Sequence, residues 1–237
     1  YLDRSHTRRA AQAALRSADA LAFRSELKRR EFERKYFRPA RSILMPSGLP
    51  AGFAAPVRVR ERVRTFLCAG RMVPLKRMDA VIRAFGALDL PDAQLFLVGE
   101  GVEEPALRAL AQTQSNAQSI HFLGRLPREA TLKGMAEADC FALVSESESF
   151  GMTYVEALHT GAVVIAASGA GGGDAFIRDG ENGFLAPPGD ASALAQRMRA
   201  ACAMTSDRVR RISEAAALSV ADLRDDMLAR RAAEEFQ

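Results

Sequence analysis

Two glutamates eight positions apart, Glu148 and Glu156 in ESFGMTYVE, bracket a glycine and the start of a helical pattern. The apolar run DCFALVS (139–145) ends just before Glu148, and helical spacing resumes near Phe150. A helix starting there offers the unpaired N–H groups of Phe150, Gly151, Met152 and Thr153, and its dipole adds roughly half a positive charge. Such an end suits a diphosphate, and Gly151 lacks the Cβ that would hold a phosphate away. Glu156 follows five residues after Gly151, roughly 7–8 Å along the axis. That is the span from a diphosphate to the two hydroxyls of an attached ribose, which one carboxylate can accept together. A lone helical glutamate is ordinarily a solvated surface residue. The glycine, the helix start and the upstream Glu148 turn this one toward nucleotide-sugar binding.

The elements that must position these residues are legible as rhythm. From Thr65 onward, short apolar runs alternate with helical patterns: TFLCAG (65–70), a helix near 78–89, AQLFLVG (93–99), a helix near 103–113, SIHFLG (119–124), a helix near 128–137 and DCFALVS. A helix near 151–160, AVVIAAS (162–168), GFLAP (183–187) and helices near 190–203, 206–217 and 220–235 complete the series. Continuous apolar runs indicate strands buried on both faces, hence a parallel sheet. Right-handed crossovers then make the fold α/β, an open doubly wound sheet with flanking helices. Ligands bind such sheets beyond the carboxyl ends of the strands. Glycines and charges cluster at those ends: Gly70-Arg71, Gly99-Glu100, Gly124-Arg125, Ser145 to Gly151, and Ser168 to Asp174. Upstream, 1–19 and 25–37 read as helices around the apolar stretch ALAFRS, and SILMPSGLPAGFAAP reads as a short strand and a connecting segment.

The Glu-x7-Glu pattern, VVIAAS after it and DGENGFLAPPGD further on resemble the carboxyl-terminal domain of retaining GT-B glycosyltransferases, the family 4 type (glycosyl transferases group 1). The resemblance covers about residues 65–203. It implies a Rossmann-like domain that binds a nucleoside-diphosphate sugar, with Glu148 facing the donor sugar and Glu156 on the ribose. It also implies that Arg71 and Lys76, after the first strand and Gly70, meet the diphosphate, where fixed cations stabilise the charge of the leaving group. Arg125 and Leu126 in FLGRLP correspond to the nucleobase contacts. Two departures stand out: Arg77 follows Lys76 where the family has Gly, and Asp174-Ala175 replace the family's Pro-Glu. On this resemblance, residues 1–46 are the tail of an amino-terminal domain, 47–64 a linker, 65–219 the donor domain and 220–237 a helix crossing back. The acceptor, a sugar or glycolipid, is then expected to bind a missing amino-terminal domain, leaving this chain an incomplete enzyme that binds donor and transfers nothing alone.

The chain has no Asp-x-Asp motif, so the resemblance implies a metal-independent enzyme without a cofactor, its substrate a UDP-, GDP- or ADP-sugar. Cys68, Cys140 and Cys202 are odd in number and lack metal-ligand spacing, which reads as small buried hydrophobes in a reducing cytosol. His121 falls in a strand, and His159 near a helix end where an imidazole is favoured anyway. Residues 1–64 hold 16 Lys and Arg against 6 Asp and Glu, and the remainder 17 against 23. A basic head on an acidic body suits an anionic surface such as the inner face of the cytoplasmic membrane, a partner, or simply solvent. It carries no nucleic-acid signature. Two other functions fit the same fold: a nucleotide-sugar epimerase, and a non-catalytic nucleotide-sugar-binding module.

Overall fold

Apolar runs become strands here because amphipathic helices lie on both sides to cover them. The computed structural model describes residues 4–45, 47–49, 58–223 and 228. In chain order the elements are α1 (Arg4–Arg16), β1 (Leu21–Phe23), α2 (Glu26–Lys35), β2 (Ser42–Leu44), β3 (Thr65–Ala69), α3 (Met78–Gly86), β4 (Gln94–Val98), α4 (Glu104–Gln112) and β5 (Ile120–Gly124). They continue with α5 (Arg128–Glu137), β6 (Cys140–Leu143), α6 (Met152–His159), β7 (Val163–Ala167), α7 (Gly173–Phe176), β8 (Phe184–Ala186), α8 (Ala191–Cys202) and α9 (Ser206–Ser219). After α9 the chain turns at 220–222, and the rest of the helix expected over 220–235 lies outside the described residues apart from Leu228. No helix among the described residues is long and apolar enough to cross a membrane.

The chain divides into two compact units, Tyr1–Ala51 with Leu223–Gln237, and Gly52–Asp222. In the first, β1 and β2 pair in parallel, with Ala22 opposite Ile43. Ser25 caps α2 by accepting the Lys28 N–H, and Glu26 at the start with Arg34 and Lys35 at the end complement the helix dipole. The rings of Phe23, Tyr36 and Phe37 gather around Phe32 at 5.1–5.3 Å. Part of the basic surface of α2 is neutralised within the helix, where Glu26 pairs with Arg29 and Arg30.

In the second unit six parallel strands run in the order β5-β4-β3-β6-β7-β8. All residues of β6 and β7 are buried, the pattern of central strands. On one side α3 packs against α4 and α8, and on the other α6 packs against α5 and α9. The fold is therefore the open, doubly wound α/β sheet that the rhythm predicts. The strand order reverses between β3 and β6, which lie side by side although β4 and β5 separate them in sequence. Loops leaving their carboxyl ends diverge to opposite faces and open a crevice. Cys68 and Cys140 lie buried on these two strands, and burial pushes the Cys68 thiol up to about 12.

A buried arginine ties α5 and α6 together. Arg60 is 1% exposed, and its Nη2 donates to the carbonyls of Met135, Ala136 and Ala138 at 3.0, 2.8 and 3.0 Å. Its Nε donates to Ala138 at 3.2 Å, and its Nη1 to the carbonyls of Arg58 and Thr160. These oxygens include the last carbonyls of α5 and the cap of α6, which no helical N–H reaches. The guanidinium also meets the negative ends of the two helix dipoles. Burial lowers it to about 10, which leaves it charged at neutral pH.

Candidate functional site

The crevice between β3 and β6 gathers most of the residues singled out from sequence. The loop after β3 carries Gly70, Arg71 and Lys76, and the loop after β6 carries Glu148, Phe150 and Gly151. Lys76 Nζ lies 2.6 Å from Glu148 Oε1, and both side chains are largely buried, at 16% and 10% exposure. Two backbone bonds hold the pair: Glu146 N–H to the Leu75 carbonyl at 2.9 Å, and Glu148 N–H to the Ala170 carbonyl at 2.7 Å. The second bond brings the loop after β7 against Glu148. An acid and an ammonium are thus held where the sheet meets solvent, positions fit for a sugar and a phosphate.

The helix beside them starts later than the spacing suggests. α6 begins at Met152, with Gly151 as its cap in the left-handed region at φ +84°. A helix cannot run back through that conformation, so Phe150 stands outside it. The N–H groups of Tyr154 and Val155 both turn to the Gly151 carbonyl. Met152 and Thr153 keep the first orphan donors, and the anion end is accordingly narrower than the four groups expected from Phe150 to Thr153. Phe150 is buried edge-on against Phe176, 5.0 Å between ring centres. Tyr154 fixes the helix to the sheet through its hydroxyl, which donates to the Leu143 carbonyl at 2.9 Å. Its ring underlies Gly151 so closely that a Cβ there would stand 2.6 Å from Cδ2.

Glu156 lies one helical turn and a little more from that end, buried at 8% exposure. Its Oε1 accepts a hydrogen bond of 2.7 Å from Nη2 of Arg128, the first residue of α5. Arg128 is half-exposed, so the pair joins α6 to the mouth of the β5–α5 loop, where Arg125 and Leu126 sit. Burial pushes the Glu156 carboxyl above its ordinary value, and the Arg128 pair offsets this only in part. An acid raised on folding binds protons more tightly in the folded state. Stability is then fully present at low pH and is lost as pH rises from the ordinary 4.5 through the raised folded value. Glu156→Gln removes this loss. In urea titrations near neutral pH the variant should be the more stable protein, with the difference closing toward about pH 4. A variant less stable than wild type at both pH values would contradict this.

The remaining positions fall around the same rim. Gly70 donates its N–H to the Val98 carbonyl at 3.0 Å, and the exposed Arg71 pairs with no carboxylate among the described residues. Arg125 reaches Glu100 at 3.2 Å across two strand ends, both side chains well exposed. Asp174 serves its own loop by accepting the Gly169 N–H at 2.6 Å. His121 bonds Gln94 at 2.7 Å and stacks on Phe96, away from the crevice. Among the described residues no three His, Cys, Asp or Glu are placed to hold a metal ion. Sequence reading did not single out Arg128, and it marked Arg77 only as a departure from the family's Gly, without its partners. Their signal is an unusual arginine density next to the glycine-bounded loops, visible only once those loops meet.

Comparison with known proteins bears on the family and the fold. The family model described as glycosyl transferases group 1 matches residues 54–218. A GDP-mannose-dependent monoacylated alpha-(1-6)-phosphatidylinositol monomannoside mannosyltransferase of Corynebacterium glutamicum is 38% identical over 113 residues, covering 44% of this chain and 29% of that protein. The sucrose-phosphate synthase structure from Thermosynechococcus elongatus superposes with a TM-score of 0.86 at 23% identity, over 99% of this chain and 62% of that one. HepE from Anabaena, in complex with UDP and glucose, gives 0.83 at 23% identity, over 99% and 67%. The chain thus spans less than a third of the curated relative, and the two structures share its fold.

Proposed function

The chain belongs to the glycosyl transferases group 1 family, and from that premise we propose that it forms the donor-binding part of a retaining glycosyltransferase. Its donor is a nucleoside-diphosphate sugar. The bond between the anomeric carbon and the diphosphate oxygen breaks, the acceptor oxygen bonds to the same face, and the acceptor proton passes to the departing diphosphate. Arg71, Lys76 and the Met152 and Thr153 N–H groups meet the charge that builds on the leaving group. Glu148 faces the sugar and Glu156 accepts the ribose hydroxyls, with the base toward Arg125 and Leu126. The carrying observation is the convergence at one strand-order reversal of the Lys76–Glu148 pair, the α6 start and the buried Glu156.

The C. glutamicum relative is named for a GDP-mannose donor and a phosphatidylinositol mannoside acceptor, and the HepE structure holds UDP and glucose. Both support a nucleotide-sugar donor, and the first supports a glycolipid acceptor. The basic head supports approach to an anionic membrane surface from the cytoplasm. The relative's greater length supports acceptor contacts outside these 237 residues, so the chain alone should bind donor without transferring sugar.

A thermal-shift panel of UDP-, GDP- and ADP-sugars tests the donor. The matching compound at about 100 times its dissociation constant should add about 2.7 kcal/mol of stability. A panel that leaves the unfolding midpoint unmoved would sink the reading.

A further inference from the structure

Among the described residues Arg77 is the one non-glycine with a positive φ, at 49°. The left-handed region strains any residue with a Cβ, so the surroundings must hold it there. Three contacts do. Nε and Nη2 bond both oxygens of Asp79, at 3.0 and 3.2 Å, and Nη1 bonds Oε1 of Glu146 at 3.0 Å. Gly189 lies against the same guanidinium, so closely that a Cβ there would collide with Nη1, and its N–H donates to the Val144 carbonyl at 3.1 Å. The arginine therefore joins the turn at 74–77, the loop at 144–148 and the loop around Gly189. Lys76 precedes it directly, and Glu148 stands two residues beyond Glu146. With two carboxylates on it, Arg77 adds no unpaired cation to the crevice.

We propose that Arg77 is a positioning residue whose guanidinium clamps the loops carrying Lys76 and Glu148, holding that pair in the geometry a donor diphosphate and sugar require. It acts through those two side chains and does not touch the donor. The proposal rests on the donor reading above, and its test separates the two.

Arg77→Gly relieves the strained backbone and removes the clamp together. Hydrogen exchange of the Glu146 and Glu148 amides in the full 237-residue chain should accelerate about tenfold, while the unfolding midpoint stays within about 3 °C of wild type. Affinity for the best compound of the sugar-nucleotide panel should fall about tenfold, and adding Glu146→Gln to the variant should cost little more. A merely structural arginine would lower the midpoint and leave affinity alone. If exchange and affinity both match wild type, the clamp is overturned while the donor reading stands. If exchange accelerates but wild type binds no sugar nucleotide, the clamp stands and the donor reading falls. Should Arg77→Gly unfold, Glu146→Gln alone, which keeps the Asp79 pair, is expected to accelerate the same amides, and unchanged exchange there would overturn the clamp.

Discussion

Lys76→Met is expected to weaken nucleotide-sugar binding by about a hundredfold or more, and to destabilise the fold at the same time. The two effects have one cause and can be separated. The Lys76 ammonium and the Glu148 carboxylate lie 2.6 Å apart with little exposure. Removing one partner leaves the other buried without compensation, which costs about 3–5 kcal/mol in comparable pairs. Replacing both by neutral side chains avoids that penalty, so Lys76→Met with Glu148→Gln should recover most of the lost stability. Donor binding should not return, because a phosphate still lacks its cation, and charge pairs of this kind contribute about 2–5 kcal/mol to binding. Urea titration and calorimetry on both variants check the two halves. Recovery of donor affinity in the double variant would show that Lys76 serves only to neutralise Glu148.

Arg60→Met is the second large effect, and it concerns the scaffold. Methionine fills similar apolar space but supplies none of the donors that Arg60 gives to the carbonyls of Met135, Ala136, Ala138, Thr160 and Arg58. The Met135, Thr160 and Arg58 carbonyls each keep a second donor, from Thr160 Oγ1, the Arg58 N–H and Ser213 Oγ. Those of Ala136 and Ala138 at the end of α5 lose theirs, and each unsatisfied group costs about 1–3 kcal/mol before relaxation. Water entry and local fraying recover part of this, so a net loss of about 2–4 kcal/mol is expected. Against a typical total of about 5–15 kcal/mol, that is a large share. Because α6 carries Glu156 and its amino-terminal donors, the loosened helix should also bind donor less well. A shift worth under about 1 kcal/mol in urea would mean that the carbonyls find other partners.

The strands and most helices were legible because their signal is local. A run such as AVVIAAS, short and rich in β-branched residues, reads as a strand buried on both faces, and β7 is buried throughout. The Glu148–Glu156 spacing was legible for the same reason, since one loop and one helix carry it. The short α7 was hidden by its four-residue length and by the glycine run 171–173 that leads into it, which gives no helical period. The start of α6, read near 150–151, falls one to two residues later because Gly151 takes a left-handed conformation that apolar spacing does not register. The partners were not legible. Lys76 meets Glu148 across 72 positions, Arg128 meets Glu156 across 28 and Arg77 meets Glu146 across 69. Such pairings follow from strand order, and no periodicity in the chain encodes which arginine a reversal of that order will bring to which carboxylate. Arg60 shows the same limit, since a segment punctuated by proline and glycine gave no sign that its arginine would be buried between two helix ends.

The central claim is that Glu156 holds the ribose of a nucleotide-sugar donor and pays for that role in stability. Calorimetric titration of Glu156→Gln beside wild type tests it most directly. The substitution keeps the shape of the side chain and should leave a protein at least as stable near neutral pH, so lost binding cannot be blamed on unfolding. Hydrogen bonds to a charged acceptor are worth about 1.5–3 kcal/mol each. Affinity should therefore fall by about tenfold to a hundredfold, and by a similar factor for UDP, GDP and ADP sugars, which share the ribose. A variant that binds these donors as tightly as wild type would contradict the account.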